Sequence, residues 1–288
     1  MSVKAVVDPL AGFCGGVKRA IDLVEKALSQ GEKLAVKGEL IHNRLEVQRL
    51  HKLGLENIHQ LEESQGRSVL VRTHGEEGKF FKQARKLGIK YLDATCPKVM
   101  RSQKIIRQAH REGKQIIIVG HLNHPEVIAL QGHCNEDAIV VNQEDAIPPI
   151  DTNRPTLLIA QTTVAPEIFL LWQNRFKEQV RDLQIFDSRC SFVTRRQKEL
   201  AEFAAEHPAV IFVGGRHSSN SRLLYNICHK VNRNTQFVED ETELDAEWLG
   251  NFHRVGISGS ASTPMWLLQK VAEAVTSMNS AKPKKPRS

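Results

Sequence analysis

An α/β protein built from three similar units is what this sequence predicts, and three observations predict it. Cys14, Cys96 and Cys190 each open the same phrase, Cys-x-x-Val followed by basic residues. Twenty-eight residues beyond each cysteine stands a further polar loop residue: His42, His124 and Ser218. Short continuous apolar runs alternate with helical patterns along the chain. Self-similarity at a fixed period dictates architecture before any local detail does.

The elements follow in order. Apolar runs at 3–7, 89–92 and 183–186 precede the three cysteines, and each closes on an aspartate: Asp8, Asp93 and Asp187. Runs at 34–38, 116–120 and 210–214 precede His42, His124 and Ser218. A third echo, at 69–74, 157–162 and 255–262, ends in His74, Thr162 and Ser262. Between the runs, amphipathic patterns predict helices over 20–28, 44–52, 79–87, 103–111, 166–181, 197–205, 222–230 and 264–276. The apolar runs are continuous rather than alternating, as in strands buried on both faces, so small parallel sheets covered by helices are expected. Ligands of such sheets bind beyond the carboxyl ends of the strands, where all of these polar residues fall. The unit boundaries implied are 1–95, 96–189 and 190–278, with a disordered basic tail at 279–288.

Composition sets the class. A chain of 288 residues that is 41% hydrophobic can bury several small cores. The formal charge of +7 includes Lys282, Lys284, Lys285 and Arg287 of the tail, so the body is weakly basic and no nucleic-acid partner is called for. No apolar run reaches the ~20 residues that cross a bilayer, and Asp8-Pro9 interrupts the amino-terminal run before a signal-peptide core forms. A soluble, cytoplasmic protein is expected.

Five cysteines without a Cys-x-x-Cys pair argue against a disulfide framework, a zinc ribbon or a thioredoxin-like centre. Cys134 and Cys228 stand outside the repeat and read as buried bystanders. A thiol at a helix start feels the positive end of the dipole, which favours the thiolate that metals bind. Three such thiolates on a pseudo-threefold axis suit an iron-sulfur cluster with one iron left open, and a three-Cys, one-His zinc site is the other arrangement these donors allow.

The loops describe a ligand. His42, His74, Ser218, Ser219, Asn220 and Ser262 are donors at strand ends, several of them near helix starts, and such groups collect phosphate. A P-loop sequence is absent, so nucleotide binding through one is not indicated. Glu126, in His-Pro-Glu, has two readings: a carboxyl whose pKa desolvation raises toward that of a proton donor, or a helix-start carboxylate held by the dipole. His121 and His217 lie beside these motifs without an assigned role.

The motifs Gly-Phe-Cys14-x-Gly-Val-x-Arg-Ala, Ile-His42-Asn, His74-Gly, Asp-Ala-Thr-Cys96-Pro, Gly-His-x-x-His124-Pro-Glu126, Gln-Thr162-Thr163, Cys190, Ser218-Ser219-Asn220-Ser and Ala-Ser262-x-Pro occur in one order over nearly the whole chain. Together they resemble the 4-hydroxy-3-methylbut-2-enyl diphosphate reductase family. The resemblance implies a trefoil of three α/β units around a central cavity. It implies one 4Fe-4S cluster held by Cys14, Cys96 and Cys190, with a fourth iron open to substrate. His42, His74, His124, Ser218, Asn220 and Ser262 would hold the diphosphate, with Ser219 in support. Thr162 would bond near the substrate hydroxyl, and Glu126 would supply protons. The reaction implied is a two-electron reductive dehydroxylation to isopentenyl and dimethylallyl diphosphate, the last step of the non-mevalonate pathway, with a reduced ferredoxin or flavodoxin as electron donor.

Two residues depart from the family's usual pattern: Glu76, where an aliphatic residue commonly follows His-Gly, and Val193, where Thr commonly stands. Glu76 reads as an exposed first-turn residue or a second carboxylate of the site. Rival classes are a non-enzymatic iron-sulfur or zinc sensor, which needs the thiols without Glu126 and Thr162, and a hydrolase with one Cys as nucleophile.

Overall fold

Asp8, Asp93 and Asp187 each end a strand by the same device. Their Oδ1 atoms accept the backbone N–H two residues on, at Leu10 (2.9 Å), Thr95 (2.9 Å) and Arg189 (3.1 Å). An aspartate that bonds its own backbone in this way turns the chain sharply. Each turn then delivers a cysteine to the start of a helix.

The computed structural model describes residues 3–143 and 145–280. The first third runs β1 (Lys4–Val7), α1 (Gly15–Ser29), β2 (Leu34–Lys37), α2 (Arg44–Lys52), β3 (Leu55–Ile58), β4 (Ser68–Val71), α3 (Gly78–Lys86) and β5 (Tyr91–Asp93). Next come α4 (Pro97–Arg111), β6 (Gln115–Val119), α5 (Pro125–Gln131), β7 (Ile139–Val141), β8 (Thr156–Ala160), α6 (Pro166–Lys177) and β9 (Leu183–Phe186). The last third holds α7 (Ser191–Ala205), β10 (Val210–Val213), α8 (Ser219–Val231), β11 (Thr235–Val238), α9 (Ala246–Leu249), β12 (Arg254–Gly259) and α10 (Met265–Ser280).

The strands form three four-stranded sheets, ordered β3-β2-β4-β5, β7-β6-β8-β9 and β11-β10-β12-β1, and every pairing is parallel. The α/β class and the three small parallel sheets are therefore as the sequence predicts. In each sheet the strand order reverses between the first strand and the third, at β2/β4, β6/β8 and β10/β12. That reversal opens a crevice at the carboxyl ends, and His42, His74, His124, Thr162, Ser218 and Ser262 all follow these six strands.

Strand β1 pairs with β12, so residues 4–7 complete the sheet of the carboxy-terminal third rather than that of residues 34–93. By internal contacts the chain forms two compact units. One comprises the described residues up to Gly15, His42–Val47 and the described residues from Ser191; the other comprises Gly16–Ile41 and Gln48–Cys190. Helix α10 extends to Ser280, and residues 281–288 of the expected tail lie outside the described residues.

Burial on both sheet faces is visible in β6 and β8. Ile116, Ile118, Leu157 and Ile159 pack with Ile106 of α4 and Val127 and Leu130 of α5. The alternate residues Ile117, Val119, Leu158 and Ala160 pack with Phe169, Trp172 and Phe176 of α6. At roughly 25 cal/mol per Å² of apolar surface removed from water, these continuous runs are stable only between two helical layers.

Arg196 of α7 is almost fully buried, and its guanidinium pairs with Asp8 and donates to Ser258 Oγ at 2.7 Å. Ser258 Oγ also donates to Asp8 Oδ2 at 2.8 Å, which closes a three-membered polar knot under the Asp8 turn. Removing one member strands a buried charge. Arg196→Met should therefore lower the unfolding free energy by about 3 kcal/mol, read as a shift of the urea midpoint, with a smaller loss when Asp8→Asn is combined with it.

Candidate functional site

The unit spanning Gly16–Ile41 and Gln48–Cys190 gathers six of the expected site residues. Cys96 donates its backbone N–H to Thr73 O at 3.0 Å, and Cys190 donates to Thr162 O at 2.8 Å. Each thiol is thereby moored to the loop that follows the third strand of its sheet, beside His74 in one case and Thr162 in the other. Charge on Cys190 and on Glu126 acts against ionisation of Cys96. The two sulfurs and the carboxyl therefore share one electrostatic neighbourhood.

Burial is the main cause of the raised pKa of the Cys96 thiol, and it outweighs the backbone N–H groups of Lys98 and Val99 that favour the thiolate. The helix start contributes as the sequence suggests, but desolvation is the larger effect. Cys134 and Cys228 are fully buried, and burial pushes both thiols to about 11. Cys134 Sγ donates to Gln131 O at 3.2 Å, and Cys228 lies 3.6 Å from Thr235 Oγ1.

Glu126 stands at a helix start and is also buried, and the two features act in opposite directions on its carboxyl. His124 is the N-cap of α5, Pro125 is its first residue, and Glu126 stands in the first turn. His124 Nδ1 accepts the backbone N–H of Glu126 at 3.1 Å, so that nitrogen carries no proton, and the ring presents Nε2–H as a donor. The Glu126 side chain is only 2% exposed. Thr162 meets it twice, N–H to Oε1 at 2.7 Å and Oγ1 to Oε2 at 2.6 Å. Burial raises the carboxyl from 4.5 to about 7, and the two Thr162 bonds counter it only in part. A carboxyl poised there holds and releases a proton near neutral pH.

His74 and His124 meet edge to face, with ring centroids 5.6 Å apart. Gln161 braces the Thr162 loop: its Oε1 accepts the His121 N–H at 3.1 Å, and its Nε2 donates to Thr163 Oγ1 at 2.9 Å. The Gln-Thr-Thr phrase carries that signal in the sequence. The His121 side chain is exposed and bonds Asn142 at 3.2 Å.

The other unit holds Cys14, His42, Ser218, Ser219, Asn220 and Ser262. Cys14 N–H donates to Ala261 O at 3.0 Å, the third instance of the mooring seen at Cys96 and Cys190. The backbone at His42 passes so close to Gly215 that a Cβ there would lie 2.4 Å from His42 O. Only glycine fits. Ser262 Oγ reaches the same carbonyl at 3.5 Å. Ser218 caps α8, accepting the Ser221 N–H at 3.2 Å, and Ser219 and Asn220 form the first turn. Both amide atoms of Asn220 are buried without a hydrogen-bond partner. A helix N-terminus with an unsatisfied amide is a ready anion site. His217 is exposed, and Val193 is buried in α7.

Glu76 is not an exposed first-turn residue. It is buried, and Arg72 Nε donates to its Oε1 at 2.6 Å. Arg72 and Glu76 stand four residues apart outside any helix, so the turn over Thr73 and His74 brings them together rather than a helical ladder.

Thiols, imidazoles and a near-neutral carboxyl at the switch points of parallel sheets define an α/β protein with donors for an anion and a carboxyl that holds a proton near neutral pH. Residues 6–276 match the family described as LytB protein, and the chain belongs to that family. Curated relatives named 4-hydroxy-3-methylbut-2-enyl diphosphate reductase include one from Chloroherpeton thalassium, 38% identical over 95% of this chain and 96% of its own. Another, from Bacteroides thetaiotaomicron, is 37% identical over 95% and 98%. A solved structure of (E)-4-hydroxy-3-methyl-but-2-enyl diphosphate reductase, described as the terminal enzyme of the non-mevalonate pathway, is 36% identical. It covers 96% of this chain and 99% of its own at a TM-score of 0.74. The E-1-hydroxy-2-methyl-but-2-enyl-4-diphosphate reductase of Plasmodium falciparum is 26% identical, covering 94% and 87%, with a TM-score of 0.83.

Because Glu126 titrates higher in the folded than in the unfolded chain, the fold binds an extra proton between pH 4.5 and about 7. Its contribution to stability is complete below that window and declines as pH climbs through it. The stability of the wild type relative to Glu126→Gln should therefore fall by up to about 3 kcal/mol across the window, measured by urea unfolding at a series of pH values.

Proposed function

We propose that this chain is a 4-hydroxy-3-methylbut-2-enyl diphosphate reductase, which removes the hydroxyl of an allylic diphosphate and yields isopentenyl and dimethylallyl diphosphate. The observation that carries the reading is Glu126, a buried carboxyl near neutral pKa, bonded twice by Thr162 in the unit that also brings Cys96 and Cys190 together. Names borne by relatives along nearly the whole chain support it.

The donor set fits a 4Fe-4S cluster. Charge on Cys190 opposes ionisation of Cys96, and a shared cationic centre would relieve that repulsion. Cys14, moored by the same kind of backbone bond, is the third ligand in this reading. When bound, such a cluster supplies electrons and, at the iron without a protein ligand, a Lewis acid for the substrate hydroxyl.

The chain's own residues do the rest. The α8 start, with Ser218, Ser219 and Asn220, together with Ser262, His42, His74 and the Nε2–H of His124, holds the diphosphate. Anchoring the ligand at its charged end leaves the hydroxyl to be placed by Thr162. When Glu126 is protonated, its Oε2–H donates to Thr162 Oγ1, which turns the threonine O–H outward toward the departing oxygen. The proton thus moves from Glu126 Oε2 through Thr162 Oγ1, and hydroxide, a poor leaving group, departs as water. Val119, Ala160 and Val127 lie beneath these loops and are closed to solvent. A ferredoxin or flavodoxin as electron donor and a cytoplasmic setting complete the proposal; among the described residues no helix is long and apolar enough to cross a membrane.

Oxygen-free protein given reduced viologen and the allylic hydroxy-diphosphate should consume the dye and release both products; bound substrate with its hydroxyl intact would refute the reading. Glu126→Gln should retain iron and substrate while turnover drops at least about a hundredfold, and Thr162→Val should follow it, as product analysis will show. Iron and sulfide counting should find the cluster lost on replacing Cys14, Cys96 or Cys190 by Ser, and kept in Cys134→Ser and Cys228→Ser.

A further inference from the structure

His74 sits in a loop between β4 and α3 that is tied down on every side. Gly75 N–H donates to Arg72 O at 2.9 Å, which closes a turn over Thr73 and His74. Thr73 Oγ1 donates to Leu40 O at 3.1 Å, and Thr73 O accepts the Cys96 N–H. Gly75 has φ +82°, and a Cβ on it would stand 2.1 Å from Gln103 Nε2 and 3.4 Å from Thr95 Cγ2. The loop has no room to shift toward α4. His133, whose ring is kept neutral by burial with a pKa of about 4, hydrogen-bonds the backbone of Glu76.

Across the mouth of this loop lies the Arg72–Glu76 ion pair. Its side chains are 20% and 10% exposed, and Nε to Oε1 measures 2.6 Å. Neither residue is in a helix, so the contact is not a rung of an i,i+4 ladder; it joins the two ends of the five-residue segment that carries His74. An exposed pair contributes almost nothing, but one so screened from water has defined geometry and resists salt. A lone carboxylate here would repel an anionic ligand. Paired with Arg72, it leaves the neighbourhood without net charge.

We infer that Arg72 and Glu76 form a clasp that positions His74 for the anionic end of the ligand, which makes Glu76 a positioning residue for the reaction. The inference rests on the proposed role of His74 in holding diphosphate. Breaking the clasp frees the segment to sample other conformations, and binding then has to order it. The loss should fall on ligand affinity rather than on proton delivery, because Glu126 and Thr162 lie on other loops.

The test titrates inorganic diphosphate into the full chain by calorimetry and measures KM and kcat in the holoenzyme. Glu76→Ala should weaken diphosphate binding and raise KM by about tenfold while kcat stays within about twofold. Glu76→Gln, which keeps the shape and an acceptor for Arg72, should lose about threefold and guards against poor folding of the alanine variant. In a His74→Ala background, Glu76→Ala should cost nothing further, an outcome that a general structural role would not produce. Unchanged affinity and KM in Glu76→Ala, or an undiminished loss without His74, overturns the clasp. Wild-type turnover alongside unchanged Glu76 variants sinks the clasp alone. Diphosphate binding without turnover sinks the proposed function and leaves the clasp standing.

Discussion

Three backbone hydrogen bonds set the geometry on which the rest of the structure depends: Cys14 to Ala261, Cys96 to Thr73 and Cys190 to Thr162. Each ties the loop before a helix to the loop after the third strand of a sheet, so a thiol is carried to the edge of the crevice that the strand order opens. The aspartate turns, six residues before Cys14 and three before Cys96 and Cys190, aim the chain into that bond. Because the anchor is main chain to main chain, it tolerates different side chains around it. The three copies have diverged on either side of each cysteine while the sulfur's position within its sheet is kept.

What diverged is the electrostatics. After β6 and β8 stand His124, Glu126 and Thr162, and burial there converts an ordinary carboxylate into a proton store. After β10 and β12 the equivalent places hold Ser218, Asn220 and Ser262, neutral donors suited to an anion. The dipole of α5 favours an ionised Glu126, yet desolvation prevails, since a first-turn effect of roughly 0.3–1 kcal/mol cannot match removal of a carboxylate from water. The same competition has the same winner at Cys96. Local helix position therefore says where these groups sit, and burial says how they ionise.

That distinction explains how much was legible in the sequence. The nine apolar runs correspond to β1, β2, β4, β5, β6, β8, β9, β10 and β12, and the eight helical patterns to α1–α4, α6–α8 and α10. The three strands left unread, β3, β7 and β11, are all edge strands in the same place of their sheets. Leu-Glu-Asn-Ile and Thr-Gln-Phe-Val are half polar, because an edge strand with an exposed face lacks the continuous apolar run that marks a central one. The exchange of β1 into the carboxy-terminal sheet was equally hidden. Its apolar run carries no address, and pairing is decided by register against β12. Glu76 and Arg196 were illegible for a related reason: their partners become neighbours only once turns and sheets have formed.

The closure of the repeat follows from that exchange. Each sheet takes its fourth strand from the segment just before a cysteine, so the strand that finishes one sheet also begins the turn that delivers the next thiol. For the sheet of β10, β11 and β12 the succeeding segment is the amino terminus itself, and β1 fills the place that β5 and β9 fill elsewhere. The buried knot of Asp8, Arg196 and Ser258 fastens that strand where sequence continuity cannot. In the other two sheets Asp93 accepts the N–H of Thr95 and Asp187 pairs with the half-buried Arg189 of its own turn, whereas Asp8 reaches into the charged network under β1. The cost of burying those charges is the cost of joining the ends of the chain, and the position of Cys14 is secured by it.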